Sequence, residues 1–293
     1  DAQTTNELMQ RELAKHEYAV IPGFYGARPD GTIKTFSRGG SDITGSIVAR
    51  AVGAELYENW TDVSGFLVVD PRIVENPRTI HTITYRELRE LSYMGATVLH
   101  EDAIFPVSAC GIPINIRNTN KPEAEGTMIV ASVEGESRDG VVTGIAGKRN
   151  FSVITLEKDM MNVERGFGRR VLSVLEEEGI SFEHLPTGID TMSIVVADKE
   201  LDGKLEHVLE GIRSQAHPDS IDVQRDMALI AVVGRSMVRS FGTAGRVFGA
   251  LGRAKVNVRM IDQGSSELNI IVGVANDCFH TAIRAIYDEF FAN

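Results

Sequence analysis

The sequence predicts an α/β protein in two unequal parts. A layered, mostly parallel sheet with flanking helices runs to about residue 130, and two copies of a smaller strand-and-helix unit follow. Three observations lead there. Strand-like and helix-like segments alternate through the first part. The apolar pattern of residues 171–196 recurs 76 positions later. A glycine-rich stretch, Phe36-Ser37-Arg38-Gly39-Gly40-Ser41-Asp42, stands directly before a helical pattern.

In chain order, β-branched and aromatic residues mark strands at 18–25, 31–36, 55–60 and 112–117. Apolar residues at helical spacing mark helices at 41–52, 85–93 and 97–109. Residues 61–77 read as a long loop, the kind of segment that carries function. In the second part, Val171, Leu175, Ile180 and Ile194 face Val247, Leu251, Val256 and Ile270 without a gap. Residues 153–156 face 229–232 in the same way. Each copy therefore reads strand, helix, strand, strand, helix. The first continues into a strand at 220–224, which completes βαββαβ. The second has no strand after its last helix, 279–290, whereas a spare strand at 141–146 precedes the first copy. The first unit is thus expected to be inserted in the second: residues 148–226 form one domain, and 131–147 plus 227–293 the other.

A formal charge of −11 argues against a nucleic-acid backbone as partner, and no apolar run reaches membrane-spanning length. It does not exclude a nucleotide, whose phosphates need only a local arginine and a metal ion. Cys110 and Cys278 sit in unrelated contexts and read as small buried residues rather than a disulfide, which points to the cytosol. No signal segment or initiating methionine opens the chain, so it reads as a fragment.

Paired glycines at 39 and 40 let a backbone approach an anion, and Arg38 supplies a forked donor for a carboxylate or phosphate. The plainer reading is a glycine turn with Ser41 or Asp42 as the helix N-cap. His100, Glu101 and Asp102 read as a solvated helix surface rather than a metal or acid–base cluster. No GxxxxGK[ST] stretch is present, which excludes a P-loop.

Taken together, FSRGGSD, WTDV at 60–63, DPR at 70–72, MGATVLH at 94–100, GIPINIRNT at 111–119 and ERGFGRRVLSVLEEEGIS at 164–181 closely resemble the aspartate kinase family. That resemblance implies an amino-acid-kinase fold, here residues 1–130 as its nucleotide-side part, followed by two ACT-type ferredoxin-like domains. It implies transfer of the γ-phosphoryl group of Mg-ATP to the β-carboxylate of L-aspartate, the first step towards lysine, threonine and methionine. By the family's pattern Arg38 clamps the α-carboxylate of aspartate, with Gly39, Gly40 and Ser41 beside it, and Asp42 organises charge around the phosphoryl group. Thr61, Asp62, Leu67, Asp70, Arg72 and Thr97 then fall against ATP, with Mg2+ held mainly by the phosphates and no metal site of the protein's own.

The effector positions fall on Met161, Glu164, Phe167 and Gly168, and on Ser181, Phe182 and Glu183. Strand amides at 179–182 would receive the effector carboxylate, and Glu183 favours lysine over threonine as effector. A homodimer through the ACT domains is also implied. Two departures stand out. The family's Lys-Phe-Gly-Gly-Ser-Ser segment and its substrate-binding glutamate are not in this sequence, so the chain alone is expected to be inactive. Thr97 stands where many members carry a nucleotide-binding lysine. The reading from a different functional class is a non-catalytic module that senses an amino acid and dimerises.

Overall fold

The structure is a computed structural model and describes residues 1–36, 39–96, 101–133 and 140–292, without the side chains of 101–103. Arg38, Thr97 and His100 therefore lie outside the described residues. The first part begins with helix α1 (Ala2–Leu13), capped by the Asp1 carboxylate on the Thr4 amide at 3.1 Å. Next come the hairpin strands β1 (Tyr25–Ala27) and β2 (Ile33–Thr35), and helix α2 (Gly40–Val52). Strands β3 (Tyr57–Thr61) and β4 (Thr82–Thr84) follow, then helices α3 (Tyr85–Tyr93) and α4 (Glu101–Ser108), and strands β5 (Ile114–Asn118) and β6 (Thr127–Val130). The sheet order is β3-β5-β6-β4. Its outer pairs are parallel and the central β5–β6 pair is antiparallel, because that connection is short enough for a hairpin-like return.

Several elements depart from the sequence reading. Residues 18–24 form no strand; Tyr18 and Val20 are 85% and 99% exposed, since alternation stabilises nothing without a neighbour to pair with. Helix α1, β4 and β6 carry no strong pattern: α1 buries nothing, and the strands are three and four residues long. Residues 66–69 are core rather than loose loop. Phe66, Val68 and Val69 are buried, and the Val68 carbonyl accepts from the Ile145 amide at 2.7 Å. Cys110 is exposed and Cys278 half-buried, both as free thiols.

The second part is built on two 14-residue strands, β7 (Gly144–Glu157) and β9 (Ser220–Val233). Helix α5 (Phe167–Glu177), strand β8 (Thr191–Ala197), the one-turn helix α6 (Asp198–Leu201) and helix α7 (Leu205–Ala216) lie between them. Helix α8 (Thr243–Arg253), strands β10 (Met260–Asp262) and β11 (Asn269–Ala275), and helix α9 (Phe279–Phe291) complete the chain. The sheet order β10-β11-β9-β7-β8 makes the nesting explicit. Gly144–Lys148 pairs with Leu229–Val233 inside the second unit, while Val153–Glu157 pairs with Ser220–Gln224 inside the first. Each long strand thus serves both units, bending where Asn150 (φ 69°) and Asp226 (φ 65°) take left-handed backbone. Those residues occupy matching places in the repeat, and Asn276 braces both, bonding Asn150 and donating to Asp226 at 2.8 Å.

The gapless repeat needs one correction. Helices α5 and α8 and their glycine N-caps, Gly166 and Gly242, keep the 76-residue offset. Phe151, however, pairs with Ala197 and Met227 with Ala275, so β8 and β11 are 78 apart. The turn before β11 is two residues longer. A slip of two residues in a strand keeps every side chain on its face, so the apolar pattern cannot reveal it.

Candidate functional site

The described part of the motif, Gly39–Asp42, is positioned by crowding. Gly39 adopts φ 85° as the N-cap of α2, a conformation that costs a side-chain-bearing residue energy. A Cβ on Gly40 would lie 2.4 Å from Phe36 Cβ, so the second glycine lets the helix start against the hairpin. The cap has no side-chain bond, which corrects the Ser41 or Asp42 N-cap reading and leaves Ser41 exposed. Asp42, in the first turn, accepts from Asn59 Nδ2 at 3.1 Å, and its carbonyl accepts from the Tyr57 hydroxyl at 3.1 Å. Burial, aided by the Asp42 charge and opposed by the Asn59 bond, pushes the Tyr57 hydroxyl up, so it remains a protonated donor.

Asn59 thus ties the N-terminus of α2 to β3, two residues before Thr61. Thr61 and Asp62 stand at the carboxyl end of β3 beside parallel β5, where open α/β sheets bind ligands. The Thr61 hydroxyl donates to Asp62 at 3.3 Å, and its carbonyl accepts from the Thr119 amide at 2.8 Å. The structure therefore brings Gly39–Asp42 and Thr61–Asp62 to one edge through Asn59, Tyr57 and Thr119, supports that the motif reading passed over. A spacing-only signal existed for Asn59, which shares a sheet face with Thr61.

The 67–72 stretch is arranged differently. Leu67 is half-buried and bridges to Thr79. Arg72 forks back onto Asp70, with Nη2 at 2.6 Å and Nε at 3.0 Å from both oxygens, rather than reaching out as an isolated phosphate donor. Its guanidinium holds the Asp70 carboxyl below the usual range. Arg72 is exposed and Asp70 partly shielded, so the pair is worth little to stability. A cavity of about 420 Å3 opens elsewhere, between α1, the hairpin and α2, and none of the candidate residues lines it.

In the first repeat unit the candidate effector residues divide. Met161 and Phe167 are core residues, in one buried cluster with Val171 and Met192. Glu164 is paired with Arg170, and Gly168 lies in the first turn of α5. The amides of Gly179 and Ile180 are spent on the end of α5, at 3.0 and 2.8 Å from Glu176 and Leu175 carbonyls. Only Ser181 and Phe182, both exposed, remain from the expected row of amides. Glu183 is half-buried with Oε2 shielded and unpartnered, a costly arrangement for an acceptor unless something donates to it.

Known proteins place this architecture. The amino acid kinase family model matches residues 1–118 and an ACT domain model residues 230–290, so fold and site define a kinase-type portion joined to ACT regulatory units. Aspartokinase 3 of Bacillus subtilis is 47% identical over 274 residues, 93% of this chain and 60% of that protein. The aspartate kinase structure from Clostridium acetobutylicum is 56% identical, with a TM-score of 0.93 over 99% of this chain and 67% of that one. E. coli aspartokinase III in complex with aspartate and ADP is 28% identical, with a TM-score of 0.76 over 99% of this chain and 65% of that one. The chain belongs to the aspartate kinase family. It spans about 60% of the length of the Bacillus relative.

Proposed function

We propose that this chain carries the nucleotide-side and regulatory portions of an aspartate kinase, which moves the γ-phosphoryl group of Mg-ATP onto the β-carboxylate of L-aspartate. The observation that carries the reading is the glycine turn at the head of α2, tied by Asn59 to the carboxyl end of β3. Phosphoryl transfer asks chiefly for positioning and charge neutralisation, which such an edge supplies. Arg38 clamps the aspartate α-carboxylate and Ser41 orients it. Asp42, held by Asn59, organises charge near the transferring group. Thr61 and Asp62 contact the nucleotide, and Arg72 exchanges Asp70 for phosphate. Mg2+ travels on the phosphates. Among the described residues no three His, Cys, Asp or Glu side chains gather for it, and no step is assigned to it. The E. coli relative was solved with aspartate and ADP, and separately with lysine and aspartate, which supports both the substrates and an amino-acid effector.

Lysine is the favoured effector, its ammonium meeting the shielded Glu183 carboxylate and its carboxylate the Ser181 and Phe182 amides. The ACT units are proposed to pair two copies of the chain, and the compartment to be the cytoplasm. Without the family's phosphate-binding lysine segment and substrate-binding glutamate, this chain alone yields no aspartyl phosphate above background. In a protein that supplies both, Arg38→Ala raises the aspartate KM; a change confined to the ATP KM refutes the assigned role. Calorimetry on this chain with lysine, threonine and methionine tests the regulatory half, and heat is expected with lysine. Silence with all three removes the sensor reading.

A further inference from the structure

The regulatory sheet has two outer ends in its strand order, and a side-chain pair joins them. One end is β10. At the other, residues 183–187 run beside β8 without a regular ladder. The Glu183 amide donates to the Val195 carbonyl at 2.8 Å and the Val195 amide to the His184 carbonyl at 2.9 Å, and Thr187 bridges to Met192. In a flat sheet the two ends would stand five strand spacings apart, about 24 Å. Yet His184 Nδ1 lies 2.7 Å from Asp262 Oδ2.

The bends at Asn150 and Asp226 account for this closure. Ile154 and Ile194 pack in the cluster that holds Val171 of α5, so their neighbours Val153 and Val195 lie on the opposite face. Those two valines belong to the buried cluster that contains Met227 and Met260 of the second unit. The halves of the bent sheet therefore face each other, and its ends come together at their rim.

A carboxylate oxygen only accepts, so the His184 imidazole donates through Nδ1. The His184 side chain is 17% exposed and that of Asp262 41%, which leaves the bond partly shielded. His184 directly follows Glu183, whose Oε2 is buried and without a partner among the described residues. Consecutive residues of an extended segment point to opposite sides, so Glu183 can face a ligand while His184 holds Asp262. Asp262 in turn pairs with Ile271 of β11, and β11 with β9, inside the core that continues into the kinase portion.

We infer that His184 and Asp262 form a latch between the two regulatory units, and that Asp262 is a positioning residue for the effector site. From the second unit it holds the segment that presents Glu183. An amino acid drawn to Glu183 is thereby tied to a strand of the unit whose core is shared with the kinase portion. The effector role of Glu183 rests on the reading proposed above, whereas the latch does not.

Amide exchange and calorimetry on the whole chain separate the two. Asp262→Ala is expected to raise exchange about tenfold at the Glu183 and Val195 amides, in the other unit, as well as at 260–262, with α5 and α8 unchanged. His184→Ala should raise the same sites equally, and the double variant no further, because either change removes the same bond. His184→Asn places an amide donor where Nδ1 stands and should recover protection at both ends. Asp262→Ala should also weaken lysine binding about fivefold, a loss that His184→Asn does not share. Effects confined to the unit that carries the substitution, additive effects in the double variant, or failure of His184→Asn to protect both ends overturn the latch. Unchanged lysine affinity in Asp262→Ala overturns the positioning role. Absence of lysine heat in the unmodified chain overturns the effector reading and the positioning role with it, while exchange still decides the latch.

Discussion

The two regulatory units share strands, helix positions and glycine N-caps, yet differ in dependence. The first satisfies its own turn through Asp219, packs its own core around Ile154, Val171 and Ile194, and keeps its outer segment irregular at 183–187. The second has a regular outer strand, β10, but its core is continuous with that of the kinase portion, and Glu87 of α3 accepts from the Arg235 amide in its turn. Duplication thus produced one unit with a core of its own and one unit built into the kinase portion.

The comparison can be broken most forcefully at its buried charge. Glu87→Ala should lower stability by about 3–5 kcal/mol, read by denaturant melts, because it breaks the shielded pair with Arg235 and opens the capping box of α3. Asp219→Ala, at an exposed site, should cost distinctly less. Next comes Gly234, where a Cβ would lie 2.2 Å from the Val141 carbonyl. Gly234→Ala should cost about 1–3 kcal/mol through overpacking. Its counterpart in the first unit is Lys158, largely shielded yet with room for a full side chain, and Lys158→Ala should be nearly silent.

Acid sharpens the contrast. Burial alone would raise the Glu87 carboxyl, but bonds from Thr143, the Arg235 amide and Thr84 outweigh it and hold the group below the ordinary glutamate range. A depressed carboxylate stabilises the fold fully above its unfolded value, and the contribution vanishes as pH falls through the folded one. Protection of α3 and the 234–242 turn should therefore hold down to the ordinary glutamate range and be lost as pH falls through the lower folded-state value, as followed by exchange across an acid series. The smallest effect is expected at the shared bend. Asn276→Ala removes the brace on Asn150 and Asp226 and should cost about 1 kcal/mol, with both units loosened equally in melts. Loosening of one unit alone would show that the bends are independent.

Much of this was legible in the residues. Helix α3 matches its expected bounds, α5 and α8 follow from the repeat, and the nesting of one unit in the other follows from the spare strand before residue 147. At the candidate site the glycine turn and the Thr61–Asp62 pair were readable, since positive φ and short polar motifs leave marks in composition. Their supports were not, because Asn59 and Tyr57 reach Asp42 only across a strand-to-helix packing. Likewise Met161 and Phe167 look the same in a string of letters whether they face a ligand or a core.

The sequence by itself determined the two-part organisation, the duplication and the chemical character of the RGGSD edge, because periodicity and turn chemistry are local. Tertiary structure alone decided that β7 and β9 are each one strand serving two units, that the third strands are displaced by two residues, and that a carboxylate of α3 reaches the turn of the second unit. A two-residue slip preserves the side-chain pattern, and a hydrogen bond between residues 87 and 235 depends on how distant segments pack, which no local pattern encodes.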